Sequence, residues 1–371
     1  MKKTIFGMMI LLQCVLLVQP AFADWPVFRG DAALQGISDG KLGSNPELAW
    51  SIKVGDADLS SPVTDGRNVF VSSAEGGIFA LSLKDGKQVW SRKVEASVKA
   101  APLFLNGRLF VGARDGTMYA LAASNGEVIW QYKAGDQIMR SANWTAGTET
   151  NIVFACYDNN VYCIDWTGGA LKWKHETENF VNGTPAVAGG EVVFGGCDQY
   201  LRIVDSGAGR EKFKVDVGSY IAESAAVAGN DVFVGHYGGK LVHVDLKKRK
   251  IIWEYESEEK EPFFSSPAVT ADRVLVGSRD NNLHCVERST GRRLWVFRTS
   301  GKVDSSPVVA GDKAAAGSSD GRLYLLGAAT GKEIARYDTG SAIRTSPAII
   351  GNMVIVATEG GSILAIRFSK K

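Results

Sequence analysis

One aromatic position recurs down the chain at an almost fixed interval. Aligned on it are Trp50, Trp90, Trp130, Trp173, Phe213, Trp253, Trp295 and Ala335, separated by 40, 40, 43, 40, 40, 42 and 40 residues. Such a period means a chain built from copies of one supersecondary unit, none of which can bury its apolar surface alone. Within each unit, apolar runs of four to seven residues are separated by turn pairs such as Asp85-Gly86, Asn125-Gly126 and Thr290-Gly291. Those pairs supply the positive φ of tight hairpins. The chain has 42 glycines and only 10 prolines, which suits many short strands, and no interval holds a 3.6-residue apolar period. Each unit reads as four strands.

A lone four-stranded sheet leaves two faces and two edges in water. Stacking successive sheets face to face around an axis buries the faces. Inner strands counted from their Ser/Ala-Pro starts fall at Pro62, Pro102, Thr145, Pro185, Ala225, Pro267, Pro307 and Pro347, which makes eight. The first aromatic, Trp50, precedes every inner strand, and the last inner strand is followed by only two more. The expected fold is therefore all-β: an eight-bladed propeller of four-stranded antiparallel sheets over residues 46–371, its last blade closed by the N-terminal strand.

Residues 1–23 read as a cleaved export signal. Lys2 and Lys3 precede an apolar run from Ile5 to Val18, and Ala21-Phe22-Ala23 fits the small-x-small cleavage pattern. Cys14 lies inside that run behind Gln13, which argues against a lipid anchor. The run is short of the ~20 residues a bilayer span needs, so the expected destination is the periplasm or beyond, with no transmembrane span. A lead-in over 24–45 would follow. The formal charge is +2, with 42 Lys and Arg against 40 Asp and Glu. That balance, without a basic run, gives no footing for nucleic acid. Beyond Cys14 the cysteines are Cys156, Cys163, Cys197 and Cys285; disulfides and buried thiols both stay open, and the absence of a CxxC removes a zinc or thioredoxin reading.

The repeated form, seen in Asp320-Gly321-Arg322-Leu323-Tyr324-Leu325-Leu326 with Thr330-Gly331, and in Thr290-Gly291-Arg292-Arg293-Leu294-Trp295, resembles the pyrroloquinoline-quinone (PQQ) repeat family of eight-bladed propellers. The resemblance runs from about Trp50 to Phe368, and Trp25-Pro26-Val27-Phe28-Arg29-Gly30-Asp31 is similar to the lead-in of exported members. It implies that Trp50, Trp90, Trp130, Trp173, Trp253 and Trp295 dock between neighbouring blades. It also implies one of two functions. Quinoprotein dehydrogenases of this kind bind PQQ and calcium in the axial funnel under a vicinal cysteine pair. BamB-like members are non-catalytic scaffolds of outer-membrane assembly. This chain has no adjacent cysteines, and its repeat intervals leave no room for an inserted active-site lobe. The expectation is a monomeric scaffold that binds an envelope protein and has no catalytic residue or metal, with the PQQ enzyme as the alternative and a small-ligand or glycan sensor as a third reading.

Loops at the inner-strand starts should converge on the axis. One column there reads Leu59, Lys99, Ala142, Asn182, Ala222, Phe264, Asp304 and Arg344, with Arg140, Phe180, Tyr220, Glu223, Phe263 and Lys302 close by. The charged members make a mixed, modestly basic mouth, and Phe180, Tyr220, Phe263 and Phe264 form an aromatic arc. Because loops on a rigid scaffold carry binding, this funnel is the candidate site. His236 and His243 share the repeat positions of Cys156 and Cys163 but lack a third metal ligand; His175 and His284 stand alone. The acidic run from Glu254 to Glu261 beside Lys247-Lys248-Arg249-Lys250 reads as a solvated loop and turn.

Overall fold

The computed structural model describes residues 25–55, 58–145 and 150–370, so the expected export signal lies outside the described residues. Every regular element among them is a strand, and no helix is long and apolar enough to cross a membrane. The first blade runs outward from the axis through Val63–Thr64, Asn68–Ser72, Gly77–Ser82 and Gln88–Lys93. The second strand is apolar almost throughout and buried on both faces, whereas the outer strand alternates and buries mainly Trp90. Seven further sheets repeat this order.

The ring closes as its sequence requires. Blade eight takes Ala348–Ile350, Met353–Ala357 and Ser362–Ser369 from one end of the chain and Asn45–Lys53 from the other. The closing pair is antiparallel, from Asn45 opposite Ser369 to Lys53 opposite Ser362. Blade three departs from expectation. Its inner strand is Asn143–Thr145, so Ala142, not Thr145, holds the position that proline holds elsewhere. The extra residues of that 43-residue interval follow the inner strand instead of preceding it, which shifts the column by three.

The aromatic column docks blade to blade. The indole N–H of Trp50 donates to the carbonyl of Leu83 at 2.9 Å, and that of Trp90 to Ala123 at 2.9 Å. Trp130, Trp173, Trp253 and Trp295 donate likewise to Trp166, Ser206, Arg288 and Ala328. Each ring lies flat on the turn glycine of the following blade, from Gly86 under Trp50 to Gly331 under Trp295. In every blade the third and outer strands slip by a bulge beside the column residue, aromatic in all but blade seven, a device that re-aims one side chain. Burying an indole contributes ~1.5–3 kcal/mol, and the six docks fasten most of the ring.

Two blades depart together with their neighbours. Phe213 faces a turn with Arg249 in place of glycine, its guanidinium carbon 5.0 Å from the Phe213 ring centre. Ala335 faces blade eight, whose third and outer strands come from opposite ends of the chain and share no hairpin turn.

The lead-in fills the channel. Inner-strand amides of six blades donate to its carbonyls: Thr64 to Trp25, Phe104 to Pro26, Val187 to Ala32, Val227 to Ala33, Val269 to Gln35 and Val309 to Gly36. Asn143 reaches Ala32 through its side chain, and in blade eight the Ser38 hydroxyl donates to Ile349. Ile37–Ser38 thus becomes a fifth, parallel strand on blade seven. Inner edges that an open channel would leave to water are paired with the chain itself.

Candidate functional site

The residue before the proline position is a hydroxyl in seven blades: Ser61, Ser141, Thr184, Ser224, Ser266, Ser306 and Ser346, with Ala101 the exception. These residues stitch neighbours together around the axis. The amide of Thr184 donates to Ser224 Oγ at 2.8 Å, that of Ser266 to Ser306 at 2.9 Å, and that of Ser346 across the closure to Ser61 at 2.9 Å. Sequence reasoning read these serines only as strand starts; their recurrence was the available signal for a ring.

Above them lies a small axial cavity of about 80 Å³, floored by Phe28 of the lead-in and walled by Lys99, Arg140, Glu223, Asp304, Arg344 and the hydroxyls. A shallower mouth of about 220 Å³ shares Ser61, Lys99, Arg140 and Arg344 with it and adds Asp58 and Glu359. So five expected residues do converge, once blade three is re-registered and Arg140 falls level with Glu223. Arg140 pairs with Glu223 at 2.7 Å and donates through Nε to the Asn182 carbonyl at 2.8 Å. Arg279, absent from the expectation, holds Asp304 through two hydrogen bonds of 3.0 and 3.2 Å. Lys99 meets Asp58 at 3.5 Å and Arg344 meets Glu359 at 2.9 Å, both on the exposed rim. Burial raises the Glu223 carboxyl above its ordinary range, against the pull of Arg140. Lys302 is exposed and lines neither cavity, while Leu59, Ala142 and Ala222 are buried. Asn182 is spent on structure, donating to Cys197 Sγ and the Ile221 carbonyl.

The aromatic arc exists with different members. Phe180 (43% exposed) stacks on Tyr157 with ring centres 5.2 Å apart. Tyr220 (49%) and Tyr237 (44%) stand in solvent, and Tyr237 meets Phe264 edge to face at 4.8 Å. Arg279 lies 3.5 Å over the Phe264 ring. Phe263 does not belong to the arc: it is fully buried, packed against Tyr255 and His284. Adjacent residues of an extended segment point opposite ways, so only one of Phe263 and Phe264 could face the mouth. Tyr157, Tyr237 and Arg279 sit just after second strands, a column the sequence reading did not follow.

The remaining candidates are structural. His243 Nε2 is 2.9 Å from Asp231, and its ring stacks on Phe233; His236 Nδ1 accepts the Gly238 amide at 3.0 Å. No group of three metal-ligating side chains occurs among the described residues. All four cysteines there are free, and burial pushes the thiols of Cys156, Cys163 and Cys285 up to about 12, which makes them inert packing.

The axial residues do not fit PQQ with calcium. The chamber of about 80 Å³ and the mouth of about 220 Å³ above it together only reach the lower end of the ~300–1,000 Å³ range of ligand pockets. Calcium asks for a cage of six to eight oxygens, but Glu223 and Asp304 are each taken by an arginine.

Comparison with known proteins gives the same architecture. The structure superposes on BamB from Moraxella catarrhalis with a TM-score of 0.73 at 20% identity, covering 88% of this chain and 99% of that one. The computationally designed Ika8 protein matches at a TM-score of 0.75 and 17% identity, over 86% and 99%. Quinohemoprotein alcohol dehydrogenase from Comamonas testosteroni matches at 0.72 and 14%, over 94% and 81%. No protein of curated function matches the sequence. The family profile described as outer membrane protein assembly factor BamB matches residues 42–146, 139–262 and 300–370. Most of the propeller is thereby covered, and the chain belongs to the BamB family.

Proposed function

We propose that this protein is an exported, non-catalytic scaffold that docks a protein partner of the cell envelope on the mouth face of its propeller. Family membership supports the scaffold reading. The observation that carries the choice of face is the set of three exposed aromatics Phe180, Tyr220 and Tyr237, the last in contact with Phe264, over which Arg279 lies. Aromatics and arginine are the residues that dominate binding energy at protein interfaces. A sealed channel leaves this face as a shallow surface, suited to a folded partner. The expected route is export through residues 1–23 to the periplasm. Crosslinking in the native envelope tests it with a Phe180→Ala, Tyr220→Ala, Tyr237→Ala variant. A folded variant should lose its principal crosslinked partner; an unchanged partner set would remove the mouth face from the reading.

A further inference from the structure

The outer strand of each blade is the open edge of its sheet, and that of blade five divides its charge by sign. This strand, Lys250–Glu256, is paired on one side only, with Lys240–Asp245. Lys247, Lys248, Arg249 and Lys250 crowd its start, while Glu254, Glu256, Glu258, Glu259 and Glu261 follow its midpoint. All nine are exposed. No other rim is divided so fully. Blade six is basic at both ends, through Arg292 and Arg293 at one and Arg298 at the other. Blade three comes nearest, with Lys172 and Lys174 before Glu176 and Glu178, but Glu178 is held by Arg202 and Lys214 of blade four.

Part of this charge is answered within the chain, but only weakly. Lys248 meets Asp245 at 3.4 Å, Glu254 meets Lys240 at 2.6 Å, Glu256 meets Lys260 at 3.8 Å and Glu258 meets Arg293 at 2.6 Å. Solvent-facing pairs of this kind contribute little and exchange readily. Lys247, Lys250, Glu259 and Glu261 have no ion-pair partner among the described residues. An unpaired edge is a template for another strand, and charge ordinarily blunts it. Against its own copy this edge is not blunted. A second chain laid antiparallel about a two-fold axis at Trp253 brings Lys250 level with Glu256 and Lys247 level with Glu259, since each pair lies evenly about residue 253. It also covers Ile252, 36% exposed beside that axis. A parallel copy would set like charge on like. We propose that this protein forms a reversible two-fold dimer through the outer edges of blade five, in place of the monomer expected from its sequence. Such an interface is isologous and closes on itself. The bulge at Ile252 interrupts the ladder near the axis, so the charged ends carry much of the attraction, and an edge of seven residues makes a small, weak interface. The inference goes beyond the mouth-face reading and uses none of its aromatics.

Sedimentation velocity of the purified protein, from about 1 μM to about 300 μM, tests this. The dimer fraction should rise with concentration and fall as salt is raised from about 50 to about 500 mM, because screening reaches exposed charges first. Two charge-reversed variants then fix the surface: Lys247→Glu, Lys250→Glu at the basic end, and Glu256→Lys, Glu259→Lys at the acidic end. Each alters only exposed side chains, so each should keep the parent Tm. Alone, each sets like charge against like and should weaken its own dimer about tenfold or more. Mixed in equal amounts, the two are complementary again and should form a one-to-one dimer. The Phe180→Ala, Tyr220→Ala, Tyr237→Ala variant should dimerise as the parent does. A protein monomeric over the whole range overturns the inference. So does a dimer that both reversals leave intact, a mixture that stays monomeric, or a dimer lost with the mouth aromatics.

Discussion

Gly126 shows at one residue how the docks constrain sequence. Its φ is +72°, and a Cβ there would lie 2.6 Å from the Trp90 ring. Gly311 has a similar φ of +60° with nothing within 4 Å. An L-residue pays about 1–2 kcal/mol of backbone strain at either, but only Gly126→Ala also forces an indole off its seat. Denaturant midpoints should therefore show Gly126→Ala less stable than Gly311→Ala by about 1–3 kcal/mol; equal losses would mean that the ring yields freely. His236 and His243 give a second residue-scale test. Burial holds both below their ordinary 6.5, for His243 against the pull of Asp231, with Arg288 adding slightly to the lowering. The folded state keeps them neutral while the unfolded chain takes up protons as pH falls past about 6.5. Stability is thus highest above that value, declines as pH drops below it, and levels off under the depressed folded pKa values. A His236→Gln, His243→Gln variant should flatten the slope between pH 6.5 and 5; an unchanged slope would assign it to other groups.

At the scale of the element, seven of the eight blade-to-blade contacts match an aromatic to a turn, the exception being Ala335 against blade eight, and among the seven Phe213 with Arg249 is the altered pair. The pair trades a flat indole on glycine for a guanidinium near a phenyl ring at 5.0 Å. Phe213→Trp alone should collide with the Arg249 side chain, and Arg249→Gly alone should forfeit the cation–π contact. Together they rebuild the dock used elsewhere, so a double-mutant cycle should show favourable coupling of ~0.5–1.5 kcal/mol; additive effects would show that the two residues are independent. Such matching explains what was legible beforehand. The tryptophan column, the turn glycines and the inner prolines recur at one spacing, so the blade number and the closure through Trp50 could be read directly. The mouth was legible only in part, because side-chain direction in its loops has no period to follow. Blade three was read three residues late, since an insertion shows its length but not its side of the strand. Phe263 and Phe264 look alike in sequence and face opposite ways. The lead-in was legible as a resemblance, yet its place in the channel rests on backbone carbonyls, which no side-chain pattern reports.

At the scale of the whole molecule, the two ends of the chain hold the ring by different means. Residues 25–41 lie against finished inner edges. They supply carbonyls to Thr64, Phe104, Val187, Val227, Val269 and Val309 and bury Trp25, Val27 and Leu34, but no blade depends on them for its own four strands. Deleting 25–41 should lower Tm and speed amide exchange at those six positions, while unfolding stays cooperative; unchanged protection there would contradict the pairing. Residues 345–371 carry three of the four strands of blade eight. Without them Asn45–Lys53 has no sheet to join, Trp50 has no blade to dock from, and the facing sides of blades one and seven open to water. Local loss cannot stay local in a closed ring, because each blade is buried only by its neighbours. The truncation should therefore yield aggregated or protease-sensitive chain, not a seven-bladed ring. A soluble 1–344 product melting in one sharp transition would show that the blades close without the terminal sheet.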